Sequence, residues 1–159
     1  APLQVSEIRK LLSGDTMQLD TVGERPSAVF MILPDTNRTF NFLAAVFYQC
    51  LFESLVYKAD HSPQGRLAVP VHCFLDEFAN IGRIPNFETL IATIRSRAIS
   101  VSVIIQAKSQ LEHLYREKSW ETIVGNCDNI LFLGAARAMK VHPNGSADCW
   151  DAKPSRRDP

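Results

Sequence analysis

The residues predict an α/β fold built on a mostly parallel sheet flanked by helices. Apolar runs of strand length recur at 28–33, 69–75 and 99–105, with a shorter one at 129–133. Between them lie stretches whose apolar residues recur at helical spacing. Strand alternating with helix favours parallel pairing through right-handed crossovers.

Residues 1–25 read as a polar connecting segment, with a short helical pattern from Val5 to Leu12 and a turn near Gly23. Ala28 to Leu33 is apolar without interruption, the mark of a strand covered on both faces. Pro34-Asp35-Thr36 breaks the run, and Asp35 or Thr36 is suited to cap the helix that follows. Phe40 to Ala59 is apolar almost all round, which predicts a buried helix. Residues 60–68, with His61-Ser-Pro-Gln-Gly65, form a loop.

The second strand runs from Val69 to Leu75 and ends at Asp76-Glu77. Gly82 and Pro85 mark a turn, and a helix follows from about Asn86 to Arg97, with Phe87, Leu90, Ile91 and Ile94 on one face. Ile99 to Ile105 alternates through Ser100 and Ser102 and closes on Gln106. Short helices are expected at 108–115 and 118–125, then a fourth strand from Asn129 to Leu133, stopped by Gly134. Residues 135–159 lack periodicity and are rich in Pro, Gly and charge, so they read as a disordered tail.

At 159 residues the chain has one domain's worth of sequence, and 46% hydrophobic with 21% charged residues is ordinary for a globular protein. Seventeen basic residues balance seventeen acidic ones, so net charge gives no reason to expect nucleic acid or an anionic membrane as partner. Cys50, Cys73, Cys127 and Cys149 form no Cys-x-x-Cys pair, which argues against a zinc ribbon or a disulfide framework. His61, His72, His113 and His142 are equally scattered, so no metal site is expected from them. No signal peptide opens the chain, and the apolar stretch 40–57 is short and interrupted by Asn41, Gln49 and Glu53. The chain reads as soluble.

In parallel sheets ligands gather at the carboxyl ends of strands, where Asp35, Asp76-Glu77 and Gln106 fall. Val71-His-Cys-Phe-Leu-Asp76-Glu77 has the form of a Walker B motif. In that chemistry the strand fixes one carboxylate to hold the water shell of Mg²⁺, and the next orients the water that attacks the γ-phosphate. A solvated strand end or a helix cap has the same two residues. Gln106, ending the neighbouring strand, can reach the same phosphate or water, or can merely end a strand. Arg95 and Arg97, two residues apart on a helix, point to different sides, so at most one faces a given site. Either can also be a solvated surface arginine.

Taken together, Phe74-Leu-Asp-Glu-Phe-Ala-Asn-Ile-Gly-Arg-Ile-Pro-Asn-Phe-Glu88, Ile91-Ala-Thr-Ile-Arg-Ser-Arg97, Ile105-Gln-Ala-Lys-Ser-Gln-Leu111, Asn126-Cys-Asp and Leu131-Phe-Leu-Gly134 resemble the TraG/TraD-type coupling proteins of conjugation and type IV secretion. Leu33-Pro-Asp-Thr-Asn-Arg-Thr-Phe-Asn-Phe-Leu43 is similar to that family as well, so the resemblance covers roughly residues 20–134. It implies part of a RecA-like P-loop NTPase fold, in a membrane-anchored bacterial ATPase that is usually hexameric. Such a protein recruits relaxase-bound DNA or effector proteins and passes them to a secretion channel. By the same resemblance Asp76 is the magnesium-associated Walker B aspartate and Glu77 the catalytic glutamate. Gln106 is the glutamine closing the next strand, and Arg95 reaches a neighbouring subunit's nucleotide. Arg97 is left as structural.

Two departures limit the resemblance. None of the seven glycines lies in a Gly-x-x-x-x-Gly-Lys-Ser/Thr loop, so no phosphate cradle is present. Residues 26–134 therefore look like the C-terminal half of the motor domain. ATP and Mg²⁺ are implied for the full-length protein, no tight binding of either is expected here, and the chain alone is expected to be inactive. Beyond Gly134 the pattern fails, and nothing is carried onto 135–159. A non-catalytic partner-binding module is a competing expectation, as is a carboxylate-metal hydrolase using Asp76, Glu77 and Asp35. Lacking the strand that bears the phosphate loop, the chain should also expose unpaired apolar strand edges and tend to associate.

Overall fold

Two parallel strands form the sheet, β1 (Val71–Leu75) and β2 (Ile99–Val103), with Val71 opposite Ile99 and Leu75 opposite Val103. The computed structural model describes residue 14 and residues 17–33 and 41–131. Because successive strand residues face opposite ways, Cys73, Leu75 and Ile99 enter the core while His72, Phe74 and Ser100 face outward. On the outer face His72 Nδ1 lies 2.7 Å from Ser100 Oγ and its Nε2 lies 2.9 Å from Ser102 Oγ. Phe74 lies beside His72, its ring tilted 46° to the imidazole, and stays 71% exposed.

Helix α1 (Asn41–His61) packs Ala44, Ala45, Leu51, Phe52, Leu55 and Ala59 into the core. Val46 and Tyr57 face solvent, so the helix is buried on one side and not all round. Its 21 residues make it long and apolar enough to cross a membrane by length and composition, so shortness does not set it apart from a span. The core packing of its inner face accounts for its apolar content.

After β1 come the single turn α2 (Phe78–Ile81) and helix α3 (Phe87–Thr93), which tightens into a 3₁₀ turn at Ile94–Arg97. Phe87, Ile91 and Ile94 are buried, as their spacing predicts. After β2 come α4 (Lys108–Leu114) and α5 (Ser119–Gly125), close to the expected spans. The chain is α/β, with a small parallel two-stranded sheet flanked by helices.

The expected first strand is not formed. Residues 26–33 pair with no strand among the described residues. Met31 and Leu33 pack against the core while Phe30 and Ile32 are 88% and 92% exposed. An apolar run predicts burial, but a strand also needs a neighbouring backbone, which composition does not report. Asn129 to Leu131 form no strand either. The remainder of that fourth strand, the helical pattern at Val5 to Leu12, the residues at Asp35 and Thr36 and the tail 135–159 lie outside the described residues.

Four rings hold the helices to one another. Phe78 contacts Phe87 (centroids 5.1 Å apart) and stacks on Tyr115 (5.9 Å, 2° between planes), and Phe52 meets Phe87 at 6.1 Å. The fully buried Tyr115 hydroxyl accepts a hydrogen bond from the Ile84 N–H (3.1 Å) and donates one to the Ile84 carbonyl (3.3 Å). It thereby fastens the turn between α2 and α3 to the end of α4. Burial drives the Tyr115 hydroxyl pKa well above its ordinary value. Tyr115→Phe keeps the ring but strands the buried Ile84 N–H, leaving the Ile84 carbonyl only the long bond from the Phe87 N–H (3.4 Å), and is expected to lower stability by about 1–3 kcal/mol, read from the urea midpoint.

Burial also pushes the Cys73 thiol from 9.0 up to about 11. As pH rises through 9, the unfolded chain loses this proton while the folded chain keeps it. Stability should therefore fall across pH 9–11, by roughly 1–3 kcal/mol. Urea unfolding at a series of pH values checks this: Cys73→Ala should flatten the slope in that window, whatever it does to stability at pH 7.

Candidate functional site

The ladder between the two strands continues past their ends. Ile104 N–H donates to the Leu75 carbonyl (3.1 Å), and Phe78 N–H donates to the Ile104 carbonyl (3.0 Å). These two bonds lay the segment after β1 beside the segment after β2. Gln106 and Glu77 become neighbours as a result, and Gln106 Nε2 donates to Glu77 Oε1 at 3.2 Å. The two residues expected to converge at the strand ends do so.

Glu77 itself is held in an unusual backbone state. Its φ of 45° and ψ of 48° are left-handed, a conformation that costs a non-glycine residue about 1–2 kcal/mol. Local bonds hold it there: Asp76 Oδ1 accepts from the Glu77 N–H (3.0 Å), and the Asn80 N–H donates to the Glu77 carbonyl (2.6 Å). The Asn80 side chain adds a third, from Nδ2 to Glu77 Oε2 at 2.5 Å. Strained backbone of this kind clusters at functional sites because the surroundings must over-determine it.

The loop bearing Gln106 is fixed in turn. Gln110 Oε1 accepts from the backbone N–H groups of Gln106 (3.0 Å) and Ala107 (3.3 Å). This ties the strand end to the first turn of α4. Below the loop, Phe78 and Leu75 are both fully buried, so the carboxylate pair stands on a rigid floor.

Asp76, Glu77 and Asn80 line a cleft of about 420 Å³ together with Tyr48, Phe74 and Met31. Both carboxylates are exposed. Asp76 uses one oxygen on the Glu77 N–H, and its other oxygen makes no hydrogen bond among the described residues. A hard oxygen donor open to the cleft fits Mg²⁺ held through water, which is the contact expected of Asp76. Among the described residues, no three His, Cys, Asp or Glu side chains converge as a metal site.

Arg95 and Arg97 do point apart. Arg97 makes a two-pronged pair with Asp60, Nε to Oδ1 at 2.7 Å and a terminal nitrogen to Oδ2 at 3.2 Å, and also bonds the Thr93 carbonyl. Those hydrogen bonds hold the Asp60 carboxyl below its ordinary pKa. Arg95 pairs with Asp128 at 3.0 Å, with its side chain 83% exposed. It makes no hydrogen bond or ion pair to Asp76, Glu77 or Gln106, so this chain brings Glu77 and Gln106 together and leaves Arg95 apart. Asp35 lies outside the described residues.

Asn80 is the residue that reading strand ends overlooks. Its signal is a side-chain amide three residues after a carboxylate at the start of a helical turn, spacing that brings the two groups together.

A family model described as the TraM recognition site of TraD and TraG matches residues 70–148. This stretch belongs to the TraG/TraD-type coupling proteins. The TraG/TraD match takes in β1, β2 and every site residue among the described positions, beginning just before Val71. It continues past Gly134, so the likeness does not stop where the sequence loses its periodicity. Residues 20–69 lie outside it. No curated protein and no solved structure matches the chain.

Proposed function

We propose that this segment supplies the Walker B side of the ATP-hydrolysing centre in a conjugative or type IV secretion coupling protein. The observation that carries the proposal is the approach of Gln106 to Glu77, each at the carboxyl end of one of two adjacent parallel strands. In the motor, Asp76 would hold Mg²⁺ through its water shell, and the ion would offset the charge on the phosphates. Glu77 would take a proton from the attacking water, and Gln106 would fix the carboxylate's direction. Arg95, exposed and paired with Asp128 and not with the Glu77 site, is suited to act across a subunit boundary in a hexamer.

The RecA-like fold is part of this proposal, supported by parallel neighbouring strands whose ends carry the polar residues. The missing phosphate cradle is to come from elsewhere in the motor, so the chain by itself should not turn over ATP. The description of the matching family names TraM recognition. We take this to mean that the segment engages a relaxosome partner, and through it relaxase-bound DNA or an effector bound for the channel. Attachment of the whole protein to the bacterial inner membrane, with this segment on the cytoplasmic side, belongs to the same reading.

ATP hydrolysis tests it, in a coupling protein where this segment is joined to a phosphate-binding loop. Glu77→Gln should stop turnover while nucleotide still binds. Turnover unchanged by Glu77→Gln would leave the segment a partner-binding module without chemistry. Metal-dependent hydrolysis that needs no ATP would favour a carboxylate-metal hydrolase instead.

A further inference from the structure

Glu77 is gripped from two sides. Gln106 Nε2 reaches Oε1 at 3.2 Å from the strand end, and Asn80 Nδ2 reaches Oε2 at 2.5 Å from α2. The shorter bond comes from the residue that no strand-end pattern points to. We propose that Asn80 is a positioning residue for the Glu77 carboxylate, acting on catalysis through that carboxylate without touching substrate. The proposal rests on the Walker B reading of Asp76-Glu77.

A carboxylate can spin about its last bond, and a spinning base presents its lone pairs to the water only part of the time. Each carboxylate oxygen accepts in about two directions. One amide on each oxygen fixes the plane of the group and leaves a direction on each oxygen for water. A single amide, from Gln106 alone, fixes one oxygen and lets the other swing. The backbone reinforces the grip, since Asn80 also donates its N–H to the Glu77 carbonyl at 2.6 Å. Side chain and main chain of one residue thus hold both ends of Glu77, and Asn80 lines the same cleft as Asp76 and Glu77.

The test is steady-state ATP hydrolysis in a coupling protein carrying this segment with a phosphate-binding loop, comparing wild type, Glu77→Gln, Asn80→Ala and Asn80→Asp. Asn80→Ala should lower kcat about 10-fold to 10²-fold with KM for ATP unchanged, as expected for a misaligned catalytic group. Asn80→Asp keeps the shape but sets a second carboxylate against the first, so its kcat should fall below that of Asn80→Ala. A role in packing alone predicts the reverse order, because the aspartate fills the same space, and that order would overturn the proposal. So would wild-type kcat in Asn80→Ala when Glu77→Gln is inactive. Full activity of Glu77→Gln would instead remove the Walker B reading, and the proposal with it.

A second measurement does not depend on the Asn80 variants folding. In ¹⁵N spectra of the 159-residue chain, Glu77→Ala should shift the side-chain amide signals of both Asn80 and Gln106. An Asn80 signal that stays in place while that of Gln106 moves would overturn the proposal.

Discussion

Phe78→Ala is expected to lower stability by about 3–5 kcal/mol, a large share of the 5–15 kcal/mol typical of a whole domain. Phe78 is fully buried between Phe87 and Tyr115, and its own N–H closes the ladder to Ile104. Removing the ring leaves a cavity against two aromatic faces that cannot collapse into it, because Tyr115 is fixed by its hydrogen bonds to Ile84. Part of the loss should therefore appear as a loosened site: α2 has one turn, and its hold on the core is Phe78 and Ile81. Urea unfolding measures the stability. A cost under about 1 kcal/mol, the size expected of an exposed position, would mean that the ring does not anchor α2.

Glu77→Gln is the second large effect expected. If the carboxylate takes the proton of the attacking water, its amide should lower kcat by about 10²–10⁴-fold, the usual range for removing a general base. The amide occupies the same space, and Glu77 is exposed, so stability should change little. Nucleotide affinity should hold as well, since the phosphates are to be bound elsewhere. ATP turnover beside nucleotide binding separates these quantities. A matching fall in both would mean that Glu77 binds nucleotide and does not activate water.

Helices α1, α3, α4 and α5 and both paired strands are legible because their information is local, whereas the single turn α2 is not foreseen. The spacing of Phe87, Ile91 and Ile94 identifies α3, and the alternation through Ser100 and Ser102 identifies β2. Glu77 and Gln106 were legible as neighbours because both follow strands of one parallel sheet, and strand ends line up. What failed was non-local. Ala28 to Leu33 has the composition of a core strand, yet among the described residues no backbone pairs with it, and Phe30 and Ile32 are exposed. Asn80 failed for the opposite reason: its contact is very local, but it depends on the left-handed turn at Glu77, which no periodicity foretells. Arg95 and Arg97 were separable by helical geometry, while their partners Asp128 and Asp60 lie far off in sequence and could not be named in advance.

The bond from the Phe78 N–H to the Ile104 carbonyl has a consequence for dynamics. It is the last rung between the segments that follow the two strands, with Glu77 immediately before Phe78 and Gln106 two residues after Ile104. A fluctuation that frees this amide to exchange its hydrogen with solvent unzips the ladder at the point where the two side chains meet. The exchange rate of one backbone proton thus reports how often the carboxylate and the glutamine part company, on a clock that runs whether or not nucleotide is present.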